Sequence, residues 1–360
     1  MGRGKYGNRT GSSKLVHVLQ FLLEVPTGVI ADMIGRKKSL ALGSLIMVIA
    51  TLVYGSYPHI ALFIIAEFLF AAGVAFMSGA DKALLYDTLI NAGKKEMAKE
   101  VFGKSKSIYL AGIAIAAIVG SVVAKYLGIN APMLLTSIPA LLAAVVAFSI
   151  PEPKDSGKVK EQRNFLEVLR KGFLPLRNNL TLRRWAINAT LVATGAYFTI
   201  WLYQPILSRI NIPLEYYGIV HAGFVLAQII VVANFRKLIM LFGSLQRYLN
   251  FSGLSVGFGF VLVALMPNIF TLCVFLVFAG GFGLARFEIM SAEMNKLIDS
   301  EGRATTLSSI SMVQRITNSA MNPLVGLLTD RSIIFSLLVV SLLPLLTLFV
   351  TIKEKDIDSR

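Results

Sequence analysis

The stretch EVPTGVIADMIGRKK, residues 24–38, closes an apolar run and ends in a basic cluster. Glu24, Gly28 and Asp32 are spaced four residues apart, which places them on one face of a helix. Gly28 has no side chain and lets a neighbouring helix approach closely. We expect Gly35 to end the helix, because glycine followed by basic residues is typical of the cytoplasmic end of a membrane span.

The composition is that of a protein embedded in a membrane. Of the 360 residues, 55% are apolar and 15% are charged, whereas soluble domains carry about 25% charged residues, and the mean hydropathy is +0.69. The net charge of +15 lies in alternate loops, as membrane topology requires, so we expect no nucleic-acid partner. One cysteine and three well-separated histidines offer no disulfide framework and no metal cluster. We expect no metal and no cofactor.

The hydropathy pattern predicts an all-α polytopic protein with eleven membrane spans, each near the roughly 20 residues that a bilayer requires. The spans are 15–33, 39–57, 60–80, 106–127, 131–150, 184–208, 215–236, 247–266, 269–291, 305–328 and 332–352.

A polar, basic segment at 151–183 divides the spans into two helix bundles. The predicted organisation is a basic N-terminal tail (1–14), a five-span bundle (15–150), the linker, a six-helix bundle (184–352) and a C-terminal tail (353–360). Weak similarity between the halves, at an offset of about 200 residues, is expected of transporters built from repeats.

The basic residues orient the chain. The loops on one side carry nearly all of them, and the other side receives only Lys125, Arg209 and Arg331. The positive-inside rule therefore places the C-terminus in the cytoplasm. With eleven spans the N-terminal tail falls outside, although it is basic, and this contradicts the rule.

The order Gly28-x-x-x-Asp32-x-x-Gly35-Arg36-Lys37 resembles the signature of the major facilitator superfamily, found between its second and third transmembrane helices. The segments 78–89, 201–205 and 302–309 (SGADKALLYDTL, WLYQP and GRATTLSS) resemble a prokaryotic subgroup of that family. The resemblance implies two six-helix bundles and twelve helices. It also implies that span 15–33 is the second helix and that the first is missing, through truncation or a wrongly placed start.

The sequence departs from the family at three positions. Glu67 stands where the fourth helix often carries an arginine, and the fifth helix, 112–121 here, lacks the Gly-Pro pair of many proton-coupled drug exporters. The second half carries no aspartate that matches Asp32. Transport is therefore better supported than export.

Polar side chains within the spans mark a candidate substrate cavity. Span 184–208 carries a polar stripe at helical spacing, and the resemblance makes it a cavity-lining helix. Polar groups on such a face need water, a solute or another helix. The candidates on this span and the next are Tyr197, Trp201, Gln204 and His221. The alternatives are helix packing, an interfacial aromatic belt for Trp201 and a satisfied structural histidine.

Charged residues within membrane spans are expensive and are read as functional by default. The candidates are Glu24, Glu67, Arg286, Arg315 and Asn318, the last of these uncharged but one turn from Arg315. A carboxylate in a low-dielectric cavity can load and release a proton. The alternative is that the carboxylates and the arginines form permanent ion pairs that hold the bundle together.

The resemblance implies a gate at the basic turn. Its residues are Gly28, Asp32, Gly35, Arg36 and Lys37. In the family the aspartate meets the N-terminal end of the eleventh helix, where the partial positive charge of the helix favours an anion. Asp81 and Asp87 are the acidic residues that offer the basic cluster a partner from the neighbouring helix.

The leading functional interpretation is a secondary active transporter that works by alternating access. We expect a monomer in the plasma membrane that exports a small molecule in exchange for protons, as multidrug efflux proteins do. The alternative is a non-transporting remnant of such a protein. A membrane enzyme is disfavoured, because the sequence shows neither a nucleophile–base set nor a phosphate-binding glycine loop.

The topology can be tested by cysteine labelling from the outside, in a chain whose single cysteine, Cys273, is replaced. A cysteine placed at Asn130 should react with an impermeant reagent, whereas one at Lys158 should not, because 151–183 is expected inside. The opposite pattern would overturn the eleven-span assignment.

Overall fold

The computed structural model describes residues 35–78, 80–151, 173–298, 303–350 and 352, with the side chains of 303 and 304 left out. Every regular element in these ranges is a helix, which confirms the all-α prediction. The predicted span 15–33 and most of the linker lie outside the described residues.

The described part of the first half forms six helices. They are α1 (Arg36–Ser56), α2 (Ile60–Met77), α3 (Ala80–Asn91), α4 (Ala98–Leu127), α5 (Ala131–Leu135) and α6 (Ser137–Ser149). Gly35 precedes α1 with φ 92°, a left-handed conformation that residues with a side chain adopt at a cost. This explains why a glycine stands at the turn before the basic cluster.

The second half continues the numbering. Its helices are α7 (Leu180–Arg209), α8 (Tyr217–Ala233), α9 (Phe235–Phe242), α10 (Leu245–Leu265), α11 (Ile269–Phe275), α12 (Leu284–Met294), α13 (Arg303–Arg331) and α14 (Ile333–Leu345). An eight-residue π-helix, Leu276–Gly283, joins α11 to α12 without interrupting the rod.

Within the described residues, eight helices are long and apolar enough to cross a membrane. Two further predicted spans coincide with helices outside that group. One is α13, which has 29 residues but carries a polar stripe. The other is the shorter apolar helix Ile333–Leu348. Ten of the eleven predicted spans therefore coincide with described helices.

The chain divides into two compact units. Among the described residues, 35–112 and 120–151 belong to the first, while 113–119 and 173–352 belong to the second. In the first unit, α1 packs against α2 where Gly43 meets Gly73. A Cβ added at Gly43 would lie 2.8 Å from the carbonyl oxygen of Gly73, so this crossing requires glycine.

In the second unit, close packing also depends on small residues. A Cβ at Gly280, in the π-helix, would lie 2.3 Å from Phe224 of α8, and one at Gly257 would lie 3.2 Å from the carbonyl oxygen of Ser341. Lipid tails are as apolar as the side chains, so helices in a membrane associate through such close contacts rather than through the hydrophobic effect. Around these contacts, aromatic side chains such as Phe260 and Phe275 fill the core.

Candidate functional site

A group of polar and aromatic side chains lies where α7 meets α13. The Asn322 amide donates a hydrogen bond to the Tyr197 hydroxyl at 3.1 Å, and the rings of Tyr197 and Trp201 are 6.2 Å apart. Asn318, one turn before Asn322, is 7% exposed. Its side-chain oxygen has no hydrogen-bond partner among the described residues. We call these four residues the α7–α13 site.

Two features make the α7–α13 site suited to a solute. Trp201 is 48% exposed, so an accessible aromatic surface lies beside Tyr197, the partner of the buried Asn322 amide. Pro323 lies inside α13 and has no N–H, so the carbonyl of Ser319 lacks its usual helical donor. The Asn318 side-chain oxygen is a buried acceptor without a partner among the described residues, which is costly, and a bound molecule with an N–H or O–H group would remove that cost.

Gln204 and His221 are placed away from this site, around Tyr203. The Gln204 amide nitrogen is 3.4 Å from the Tyr203 hydroxyl, and the rings of Tyr203 and His221 are 5.5 Å apart. Tyr203 is buried, while His221 is half-buried. The structure therefore separates the predicted stripe on α7 into two neighbourhoods.

Arg286 is buried inside the second unit, 1% exposed. Its guanidinium donates to the Leu249 carbonyl and the Ser252 hydroxyl of α10, and to the Asn188 side-chain oxygen of α7 at 2.6 Å. The Asn188 amide in turn donates to the Val350 carbonyl, just after α14, at 2.7 Å. We call this set the Arg286 network, and it connects α7, α10, α12 and the end of the last helix.

The Arg286 network bears on one alternative that the sequence left open. Acidic partners were an alternative for Arg286, but its partners among the described residues are a carbonyl, a hydroxyl and an amide. Neutral acceptors satisfy the donors without cancelling the charge, and its Nε has no partner in the described part of the chain. The guanidinium therefore holds helices together through neutral partners.

The remaining charged candidates lie at separate places. Arg315 is half-buried on α13, one turn before Asn318. Glu67 lies in the first unit on α2 and is 8% exposed. Within the described ranges, no hydrogen bond or ion pair to Glu67 is formed.

The basic turn is partly described. Arg36, the first residue of α1, forms an ion pair with Asp87 of α3 and donates to the Ala83 carbonyl at 3.1 Å. Of the two acidic partners considered, Asp81 and Asp87, the structure uses Asp87. Lys37 is half-buried beside Arg36. The other proposed gate and proton residues, Glu24, Gly28 and Asp32, lie outside the described residues.

Sequence reasoning missed the partners of Arg286. Asn188 is 98 positions away from it along the chain and Ser252 is 34 away, so no local spacing joins them. Of the candidate residues, only Tyr197, Trp201 and Asn318 are brought into one site. Among the described residues, no group of three or more acidic, histidine or cysteine side chains could hold a metal ion.

Comparison with known proteins agrees with this fold. The family model of the Major Facilitator Superfamily matches residues 15–316. The solved nucleoside transporter NupG superposes with a TM-score of 0.74 at 13% identity, over 97% of this chain and 89% of that one. The D-xylose–proton symporter superposes with a TM-score of 0.73 at 13% identity, over 97% and 88%. No curated protein sequence is a significant match.

The family match covers most of the chain, and the chain belongs to the major facilitator superfamily of membrane transporters. At 13% identity, the two solved structures show the shared fold alone.

The Arg286 network can be tested through stability. Asn188→Leu leaves both the Arg286 guanidinium and the Val350 carbonyl without their partner, and such losses typically cost about 2–5 kcal/mol. We expect a clear drop in melting temperature in detergent. Asn130→Leu, at an exposed turn, is the matched control and should leave it unchanged. Equal melting temperatures for the two variants would show that the network does not hold the second unit together.

Proposed function

We propose that the protein is a proton-coupled secondary transporter that moves a small molecule across the plasma membrane by alternating access, as a monomer. Membership of the family supports transport. The observation that carries the proposal is the α7–α13 site, where Asn322 of α13 bonds Tyr197 of α7. One turn before Asn322, Asn318 presents a buried oxygen that has no partner among the described residues, and one turn after Tyr197 the ring of Trp201 is exposed.

The chemistry of this site suggests the kind of solute. Tyr197 and Trp201 offer aromatic faces, while Asn318 and Asn322 offer amide donors and acceptors. Arg315, one turn from Asn318, adds a positive charge at one end. A solute with a planar or ring-shaped body and several hydroxyl or amino groups fits this set. Nucleosides and D-xylose, which the names of the structural neighbours mention, are therefore the first molecules to test.

Glu67 is the proposed proton carrier in the described part of the chain. It lies on α2, a helix whose other residues are nearly all apolar, and it is almost completely buried. An ionised carboxylate is costly in such a place, so a change in its protonation would alter the energy of the conformations that bury it. Glu24 remains a second proposed carrier, and Gln204 and His221 are proposed to line the route.

The basic turn is proposed to act as a gate. The Arg36–Asp87 ion pair joins the start of α1 to α3 and so holds the basic turn in place. Gly28 and Asp32 precede this turn in the sequence. An anion at Asp32 is proposed to meet a helix N-terminus when that side of the protein is closed. Opening would then require the loss of this contact.

The direction of transport can be read from proton movement in proteoliposomes that contain a pH-sensitive dye. If a solute added outside is exchanged for protons, as export requires, the lumen becomes more alkaline. If solute and protons move together, the lumen becomes more acidic. We propose exchange, and an acidified lumen would contradict export while leaving transport intact.

The role of Glu67 gives the sharpest test. Glu67→Gln removes the titratable group but keeps its size, so we expect proton movement to be lost while solute–solute exchange continues. Glu100→Gln, at an exposed residue of α4 that pairs with Lys104, is the control and should keep both activities. Normal proton movement in Glu67→Gln would exclude it as the carrier. No flux of any tested solute by the wild-type chain would count against transport of this solute class.

A further inference from the structure

A cavity of about 290 Å³ lies in the second unit between the first turns of α7 and the middle of α13. Its walls are largely apolar, and the apolar side chains that line it include Leu176, Ala186, Ile187, Ile310 and Val313. Ile187 and Val313 are exposed, so the cavity opens to the surface of the unit.

The two hydroxyl groups in the walls are already bonded within their own helices. Thr190 donates to the Ala186 carbonyl at 2.8 Å, and Thr317 donates to the Val313 carbonyl at 2.8 Å. The cavity therefore offers a ligand no free hydroxyl proton. A polar solute would lose hydrogen bonds to water there and find few partners in the apolar walls, which makes it a poor occupant.

The end of the cavity that lies at the start of α7 is basic. Arg183 lines this end and is exposed. Arg177 and Arg184 lie on either side of Arg183 in the sequence, within seven residues of each other. None of the three forms an ion pair with an acidic residue in the described part of the chain. Positive charge at one end and apolar walls at the other match a molecule with an anionic head and a hydrocarbon tail.

The dimensions fit a lipid at the membrane surface. From Arg183 to Leu191 the cavity follows α7 for eight residues, which is about 12 Å. It would therefore reach from the level of the headgroups into the outer part of a hydrocarbon core that is about 30 Å thick. Basic pockets between membrane helices are known to bind anionic headgroups, and arginine binds phosphate through two parallel hydrogen bonds.

We propose that this cavity binds one anionic phospholipid, with an acyl chain between α7 and α13 and the phosphate on Arg183. The site is separate from the α7–α13 site of the proposed transport function, since it shares none of those four residues. A resident lipid here would support the start of α7, where the polar linker joins the second bundle.

The test uses the full chain, delipidated in detergent, with phosphatidylglycerol, phosphatidylcholine and dodecanoate as probes. Native mass spectrometry gives the affinity for each lipid, and the melting temperature reports its effect on stability. Arg183→Gln removes the charge, and Arg209→Gln, an exposed arginine at the other end of α7, is its control. Ile187→Trp fills the cavity, and Ile219→Trp, at an exposed position of α8, is its control.

We expect the wild type to bind phosphatidylglycerol more tightly than phosphatidylcholine and to be stabilised by it. Each surface arginine that meets an anionic lipid changes affinity by about five-fold, so Arg183→Gln should weaken phosphatidylglycerol binding by roughly that factor. Ile187→Trp should abolish the bound lipid, while both controls should bind it as the wild type does.

Three outcomes would overturn the proposal. Equal binding of the two lipids by the wild type and all variants would indicate non-specific annular lipid. Unchanged phosphatidylglycerol binding by a folded Ile187→Trp would show that the acyl chain lies elsewhere. Binding of dodecanoate without binding of phosphatidylglycerol would assign the cavity to a small amphiphile. None of these results depends on whether the protein transports a solute.

Discussion

The guanidinium of Arg286 lies inside an apolar helix bundle, and its two terminal nitrogens donate to groups on two other helices. A buried charge that loses a partner is strongly destabilising, so α7 and α10 are held at the distances that Asn188, Ser252 and the Leu249 carbonyl impose. Asn188 extends this constraint to Val350 after α14. The close contacts at the glycines of the π-helix hold α8 against the continuous helix that carries Arg286.

Polar groups in the second unit are therefore used in two different ways. In the Arg286 network they are bonded to each other and bind helices together. At the α7–α13 site the Asn318 oxygen has no partner among the described residues, and Trp201, one turn after Tyr197, is exposed. A transporter needs both kinds of polar group. One kind keeps the helix bundle rigid, and the other leaves hydrogen-bonding groups for the solute.

Much of the fold followed from the sequence, because membrane helices must bond their own backbone and therefore appear as long apolar runs. Tyr197 and Asn318 were found because each lies on a polar stripe with helical spacing. The partners of Arg286 were not found, because Asn188 is 98 positions away and an apolar context gives no sign of which helices touch. Asp81 and Asp87 were both candidate partners of the basic cluster. Only the positions of α1 and α3 show that Asp87 is the partner.

In the proposed transporter the α7–α13 site faces water, whereas the Arg286 network does not. The most direct measurement is the rate at which single cysteines react with a charged, membrane-impermeant thiol reagent in proteoliposomes, after Cys273 is replaced. This arrangement predicts fast reaction for Trp201→Cys and little for Asn188→Cys or for Leu226→Cys, an exposed apolar position of α8. If Trp201→Cys reacts no faster than Leu226→Cys, the site faces lipid and the account is wrong.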